Sequence, residues 1–360
     1  MHRMAPVNAH PQIAGTARAL PPNYADQDAL LAAFRAVWAG RHFNLERLEQ
    51  LFSSVRVGGR HLALPLGDYP ALTSFSKKND AWIRVATELG ERVVRAALEN
   101  AGVAPREVDH LYFVSVTGIA TPSIDARLVA RLGLRPDVKR TPIFGLGCVA
   151  GAAGLTRASD AVRAFPSQTS VLLSVELCSL TLQREDLSMA NLISSGLFGD
   201  GAAAVVVRGG ERPSGRGPRV VATRSVLYPD TERLMGWDVV DTGFKVVLSA
   251  QVPHLVRDHL RADVDAFLAA NGLARKDVTH YVCHSGGPKV LEAFEEALEV
   301  PRAALQRTWD SLRDVGNLSS ASVLFVLDEL LREGAGREGE WGLLLAMGPG
   351  FCSELVLLRW

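Results

Sequence analysis

The sequence predicts an α/β chain folded as two duplicated halves, with helices layered against and between mainly parallel sheets. Three observations lead there. Gly102-Val-Ala-Pro-Arg-Glu-Val-Asp-His110 recurs as Gly272-Leu-Ala-Arg-Lys-Asp-Val-Thr-His280, an offset of 272 − 102 = 170. Gly147-Cys148 overlays Gly316-Asn317 at 316 − 147 = 169, and Val171-Leu-Leu-Ser-Val175 overlays Trp341-Gly-Leu-Leu-Leu345 at 341 − 171 = 170. Matches held in one register mark an internal repeat. In both halves an amphipathic helix precedes the repeated segment and an apolar strand follows it, the order that yields parallel sheets covered by helices.

Residues 1–25 carry scattered prolines and polar residues and are expected to form a mobile N-terminal arm. The first half is placed at 26–210 and the second at 219–360, joined by Gly209-Gly-Glu-Arg-Pro-Ser-Gly-Arg-Gly-Pro218, whose glycine, proline and charge content reads as a linker. Asp28 to Trp38 and Leu45 to Leu51 have helical spacing of apolar residues, and Pro65 to Thr73 reads as a loop. Ala81 to Leu98 is a long amphipathic helix ended near Gly102, and Val108 to Val116 is a strand apolar enough to be buried on both faces. In the second half, Val256 to Ala270 is the corresponding helix.

At 360 residues, 48% hydrophobic and 22% charged, the chain can bury a large core. Lys+Arg and Asp+Glu both total 39, so no overall field favours nucleic acid or an anionic membrane. The four cysteines, Cys148, Cys178, Cys283 and Cys352, show neither zinc-site spacing nor a disulfide framework, which points to a reducing compartment. The N-terminus lacks the apolar core of a secretory signal, and no stretch reaches the ~18 apolar residues of a membrane helix. A cytoplasmic location without membrane insertion is expected.

The residues that carry chemistry centre on Cys148. It stands at an expected strand-to-helix turn in Thr141-Pro-Ile-Phe-Gly-Leu-Gly-Cys-Val-Ala-Gly151, where unpaired N–H groups and the helix dipole lower a thiol pKa. It reads as a nucleophile; the alternative is a packing cysteine. His284 follows the repeated second-half strand and precedes Ser-Gly-Gly, so its ring can lie bare in a pocket and pair with the thiol. Asn317 could be a helix cap, but its overlay on Cys148 places it near the same axis. An amide and an imidazole N–H aimed at one point form an oxyanion hole without an acid strong enough to quench a carbanion. The three together suit acyl transfer to sulfur followed by carbon–carbon bond formation.

Five motifs in this order, Gly145-Leu-Gly-Cys-Val-Ala-Gly151, Leu197-Phe-Gly-Asp-Gly-Ala-Ala-Ala204, His284-Ser-Gly-Gly-Pro288, Gly316-Asn-Leu-Ser-Ser-Ala321 and Gly348-Pro-Gly-Phe351, resemble the chalcone synthase-like type III polyketide synthases from about residue 20 to the C-terminus. The resemblance implies the thiolase-like αβαβα layered fold, a homodimer, coenzyme A thioester substrates, and no metal or organic prosthetic group. It makes Cys148, His284 and Asn317 the catalytic residues, acting on an acyl-CoA starter and malonyl-CoA. Phe198 matches the gate between CoA tunnel and cavity, and Thr117, Thr121, Cys178, Gly243 and Gly350 match substrate-lining positions. Ketoacyl synthases share the Cys-His-Asn plan but carry a His-Gln-Ala-Asn run that is absent here. Thiolases use a second cysteine in the later half; Cys352 follows a loop that fits the synthases better. A non-catalytic acyl-CoA-binding protein of the same fold is the remaining class, disfavoured by the presence of all three residues.

For the CoA phosphates the resemblance offers Arg47, Arg56, Arg60 and Lys289, with Arg47 and Lys289 preferred. Small residues at Thr117, Thr121 and Cys178 resemble bacterial members with an extra tunnel for a fatty acyl chain. The expected product is therefore an alkylpyrone or alkylresorcinol from a medium- or long-chain acyl starter. A tetrahydroxynaphthalene-type synthase using only malonyl-CoA is the alternative, disfavoured by the absence of cysteine near Thr117.

Overall fold

The structure is a computed structural model and describes residues 10–38, 45–212 and 217–360. The strands are β1 (Gln12–Ala19), β2 (Asn23–Asp26), β3 (Gly59–Leu62), β4 (His110–Val114), β5 (Lys139–Ile143), β6 (Thr169–Leu177), β7 (Asp200–Arg208), β8 (Arg219–Leu227), β9 (Met235–Val240), β10 (Gly243–Leu248), β11 (Val278–Cys283), β12 (Trp341–Gly348) and β13 (Cys352–Arg359). The helices are α1 (Gln27–Trp38), α2 (Leu45–Ser54), α3 (Phe75–Ala101), α4 (Ile124–Leu132), α5 (Ala150–Ala164), α6 (Met189–Leu197), α7 (Val252–Ala270), α8 (Pro288–Leu298), α9 (Gln306–Val315) and α10 (Ser322–Arg332).

Two half-sheets, β5-β4-β6-β7-β1 and β11-β12-β13-β8, meet through the single pairing of Gln12 with Arg219. Their connectivity repeats. β4 runs parallel to β6 as β11 does to β12, and β6 opposes β7 as β12 opposes β13. The duplication expected from the sequence is thus present in the strand order, but the sheets are mixed rather than mainly parallel. Antiparallel returns at β7 and β13, the latter through the tight Gly348-Pro349-Gly350 turn, account for the difference.

α5 packs on β4, β6 and β7 of its own half and on β8, β12 and β13 of the other, with α10 beside it. These two helices form the middle layer. α3 and α4 cover the first half-sheet and α7 and α8 the second, giving five layers in the order αβαβα. β6 is buried along its whole length, which is why its sequence is largely apolar without an alternating polar face. α3 starts where the Ser74 hydroxyl accepts the Lys77 N–H and ends at Gly102 with φ 59°, a left-handed cap that glycine adopts without strain. The Pro65 to Thr73 loop contains one 3₁₀ turn, Leu66–Ala71.

Two expectations need correction. Part of the expected mobile arm, β1, lies inside the sheet between β7 and β8, with Ile13 fully buried; residues 1–9 lie outside the described residues. A Cβ on Gly15 would stand 2.6 Å from the Ala101 nitrogen, so glycine is what lets β1 lie against the end of α3. The overlay of Asn317 on Cys148 is also displaced. The 3₁₀ turn Gly147–Val149 leads into α5, and its counterpart Ser319–Ala321 leads into α10, an offset of 319 − 147 = 172. The segment expected to be a linker, 209–218, falls between β7 and β8, and its residues 213–216 lie outside the described residues.

Candidate active site

Cys148 sits in the turn that joins β5 to α5, as the sequence implied. Gly147 has φ 56°, and a Cβ there would meet the Pro349 ring at 2.6 Å. A Cβ on Gly348 would stand 2.7 Å from the Val149 nitrogen, so the β12–β13 turn presses flush on the cysteine turn. On the far side, a Cβ on Gly151 would lie 2.1 Å from the Ser320 oxygen. Glycines therefore let the starts of α5 and α10 meet backbone to backbone.

His284 follows β11, its N–H bonded to the Leu345 carbonyl at 3.0 Å. Gly286 leaves open the space beside its ring, and Nδ1 is buried without a hydrogen-bond partner among the described residues. Asn317 is 2% exposed. Its Oδ1 accepts from the Ser319 N–H at 2.8 Å and from the Ser322 hydroxyl at 3.4 Å, while Nδ2 donates to the Gly286 carbonyl at 3.2 Å. Both amide roles are therefore assigned, and the nitrogen faces the loop that carries His284.

Cys148, His284 and Asn317 line one cavity of about 440 Å³ together with Phe198, Trp237 and Ser319. That volume lies in the range of small-molecule sites. Leu51 and Ser54 of α2, Val55 just after it and the exposed Lys289 line the same cavity. A second cavity of about 520 Å³, walled by α1 and by Leu62, Tyr69 and Ser194, shares Cys178, Phe198, Trp237 and Val246 with the first.

The cysteine electrostatics differ from the sequence expectation. Burial pushes the Cys148 thiol up to about 12, with the Ser319 hydrogen bond pulling it down and nearby Glu176 pushing it further up. Burial likewise drives the His284 imidazole down to about 4. The Cys148 Sγ donates to the Ser319 Oγ at 3.6 Å rather than to His284. Desolvation thus outweighs the helix-terminus effect, and each group taken alone is neutral at pH 7. Passing the thiol proton to the imidazole would favour the thiolate, because each charge then offsets the desolvation of the other.

Beneath the cysteine lies a carboxyl that sequence reasoning missed. Glu176 accepts from the Val116 N–H at 3.1 Å, the Thr117 hydroxyl at 3.0 Å, the Ser115 hydroxyl at 3.3 Å and the Ser320 hydroxyl. Burial raises it to about 7. The available signal was a lone carboxylate inside the apolar strand Val171–Leu177.

Several expected contacts are redrawn. Thr117 does not line the cavity: its hydroxyl also accepts from the Leu177 N–H and the Trp82 indole, and the neighbouring Val116 takes the wall. Both residues lie in the bend that follows β4, where the Glu176 hydrogen bonds draw the Thr117 side chain away from the wall. Thr121 is exposed at a cis peptide with Pro122 and lines neither cavity. Gly243 opens β10 against Phe75, away from both cavities, and Gly350 lies in the turn between the lining residues Pro349 and Phe351. Cys178 and Phe198 do line the cavity. Of the basic residues only Lys289 reaches its wall. Arg47 is exposed on α2, Arg56 pairs with Glu292 and lies over Trp309, and Arg60 is buried, so it cannot meet a phosphate at the surface. Among the described residues no cluster of His, Cys, Asp and Glu could hold a metal ion, and no helix is long and apolar enough to cross a membrane.

The geometry gathers a thiol, an imidazole and a carboxamide around one cavity. Residues 7–211 match the N-terminal domain of chalcone and stilbene synthases, and residues 219–360 match the C-terminal domain. The chain is 51% identical over 350 residues to a 1,3,6,8-tetrahydroxynaphthalene synthase of Streptomyces peucetius subsp. caesius, covering 97% of this chain and 93% of that one. It is 36% identical to a putative chalcone synthase of Bacillus subtilis, covering 95% and 96%. Among solved structures, the 1,3,6,8-tetrahydroxynaphthalene synthase of Streptomyces coelicolor superposes with a TM-score of 0.92 at 32% identity, covering 97% of this chain and 99% of that one. PKS-I from the brown alga Ectocarpus siliculosus gives 0.91 at 27%, covering 97% and 98%. Matched over both halves, the chain belongs to the chalcone and stilbene synthase family and is a type III polyketide synthase.

Proposed function

We propose that this enzyme uses malonyl-CoA as both starter and extender and makes 1,3,6,8-tetrahydroxynaphthalene. The observation that carries the reading is the 51% identity, over 97% of the chain, to a synthase of that product. The acyl-starter preference drawn from Thr117, Thr121 and Cys178 is weakened, since of the three only Cys178 lines the cavity. The ten ring carbons of the product, at two per decarboxylated malonyl unit, require five units.

Cys148 attacks the malonyl thioester and its proton goes to His284 as the C–S bond forms and CoA leaves as the thiol. A further malonyl-CoA then loses CO2, and its thioester oxygen takes up the negative charge between the His284 and Asn317 N–H groups. Such preorganised donors stabilise an enolate, and the low proton affinity of buried His284 keeps its imidazole neutral. The enolate carbon attacks the acyl-Cys148 carbonyl, Cys148 leaves as thiolate, and the extended chain passes back to the sulfur. Lys289 is placed for a CoA phosphate. Sulfur, imidazole and amide supply every group required, so no prosthetic group enters.

A homodimer is part of the same reading. It is supported by the exposed edge strand β5, which leads straight to Cys148, and by exposed Phe144 beside it.

The adjoining 520 Å³ cavity favours one second reading, a fatty acyl-CoA starter whose chain passes Cys178 into mainly apolar walls. Incubation with labelled malonyl-CoA, alone and with lauroyl-CoA, separates the two. Tetrahydroxynaphthalene from malonyl-CoA alone, undiminished by lauroyl-CoA, is the expected result. Product formed only when lauroyl-CoA is present would replace the first reading with the second.

A further inference from the structure

Arg60 on β3 is 2% exposed, and its Nη1 donates to the Phe198 carbonyl at 2.9 Å. Its Nε is buried without a hydrogen-bond partner among the described residues. A guanidinium is costly to remove from water, and burial lowers this one to about 10 while Asp200 raises it, so it stays charged at pH 7. Asp200 is itself tied to the Ala63 N–H at 2.6 Å and the Ser179 N–H at 2.8 Å. The cation therefore stands in a fixed frame.

What that frame holds is the short segment leaving α6. Asn317 donates its N–H to the Leu197 carbonyl at 2.9 Å, and the Gly199 N–H donates to the Asn317 carbonyl at 2.9 Å. The two chains touch as closely as backbone allows. A Cβ on Gly316 would stand 2.7 Å from the Leu197 oxygen, and one on Gly199 would stand 2.5 Å from the Val315 oxygen and 3.1 Å from the Arg60 Cβ. The approach to β3 closes the circuit, since the Gly58 N–H donates to the Arg313 carbonyl at 2.7 Å, and α9, which carries Arg313, leads into Gly316 and Asn317.

We infer that Arg60 is a positioning residue: its buried cation pins the Phe198 carbonyl, and through the paired backbone bonds to Asn317 it makes the Phe198 ring and the Asn317 amide one rigid body facing the thiol. This rests on the proposed role of Asn317 in malonyl-CoA decarboxylation. It also replaces the sequence reading of Arg60 as a phosphate contact. A misplaced amide slows decarboxylation, whereas CoA binding at the rim does not sense it, so the effect falls on kcat and not on KM.

The test measures CO2 release from malonyl-CoA by wild type, Arg60→Met and Arg60→Lys, with Asn317→Ala as reference. Arg60→Met is expected to lower kcat ten- to a hundredfold with KM within twofold of wild type, and Arg60→Lys, whose ammonium still donates to one carbonyl, to recover part of the loss. Wild-type kcat in Arg60→Met, a raised KM with kcat kept, or equal losses in both variants would each overturn the inference. Should Arg60→Met fail to fold, Arg60→Lys decides by amide hydrogen exchange at Gly199 and Asn317. Faster exchange at both supports the coupling and unchanged exchange overturns it. Wild type releasing no CO2 from malonyl-CoA would instead defeat the proposed function, before Arg60 comes into question.

Discussion

The Sγ of Cys148 donates a hydrogen bond to the Oγ of Ser319 at 3.6 Å, not to the ring of His284. Burial holds the thiol in its protonated form against the pull of that hydrogen bond, and in the proposed cycle its ionisation depends on a proton transfer to the imidazole. Replacing His284 by glutamine keeps a polar side chain but removes the base. The rate of Cys148 alkylation by iodoacetamide, followed from pH 6 to 10, should then shift to higher pH. At pH 7 it should fall at least ~10-fold, because only the thiolate reacts. Superimposable curves for wild type and His284→Gln would mean the two groups are not coupled.

Cys148 and Asn317 serve different steps in the proposed cycle, which predicts a separable loss. Cys148→Ala should make no condensed product and still release CO2 from malonyl-CoA. Asn317→Ala should lose decarboxylation by roughly 10²–10³, the range for one oxyanion-hole donor. Radiolabelled CO2 trapping and product chromatography on the same samples read both activities. Loss of CO2 release in Cys148→Ala equal to that in Asn317→Ala would contradict the division.

Glu176 predicts a pH dependence of stability. Its folded value is about 7 against an ordinary 4.5, raised by burial against hydrogen bonds that lower it. The folded state binds this proton more tightly, so the contribution is full below about 4.5 and is lost as pH rises through 7. Between those limits the loss is roughly 3 kcal/mol at 1.36 kcal/mol per unit. Urea unfolding at pH 5 and pH 8 should show a larger decline for wild type than for Glu176→Gln. Parallel declines would place the ionisation elsewhere.

Trp237 and Phe198 line both cavities, so an indole stands in the wall between the sulfur and the second chamber. Trp237→Gly should join the two spaces. Competition between lauroyl-CoA and malonyl-CoA as starters should then move towards lauroyl-CoA by roughly tenfold, a typical effect of pocket size on specificity. An unchanged product ratio would show that the chamber does not take part.

The exposed edge strand β5 predicts the oligomer. Its outer edge is unpaired among the described residues, Lys139 to Pro142 are exposed, and Phe144 is 54% exposed. Pro142 cannot extend a hydrogen-bonded ladder, so a partner would pack on side chains instead. Sedimentation should give a dimer for wild type and a monomer for Phe144→Glu. A wild-type monomer, or a dimer that survives the substitution, would refute this interface.

The sequence by itself determined the two-half plan, the turn bearing Cys148 and the residues His284 and Asn317. Each depends on local pattern: a repeated segment, a glycine pair beside a strand end, a run of small residues entering a helix. Tertiary structure alone decided the rest. It placed β1 inside the sheet, through pairing with strands almost 200 residues away (Gln12 with Arg208), and turned Thr117 from the wall to the Glu176 network in the bend that follows β4. It also buried Arg60, which in sequence is one basic residue among several and in the fold is a cation enclosed by segments distant along the chain. Periodicity and motif are written in neighbouring residues, whereas burial, ionisation and the sharing of a cavity wall arise from packing between residues far apart in sequence.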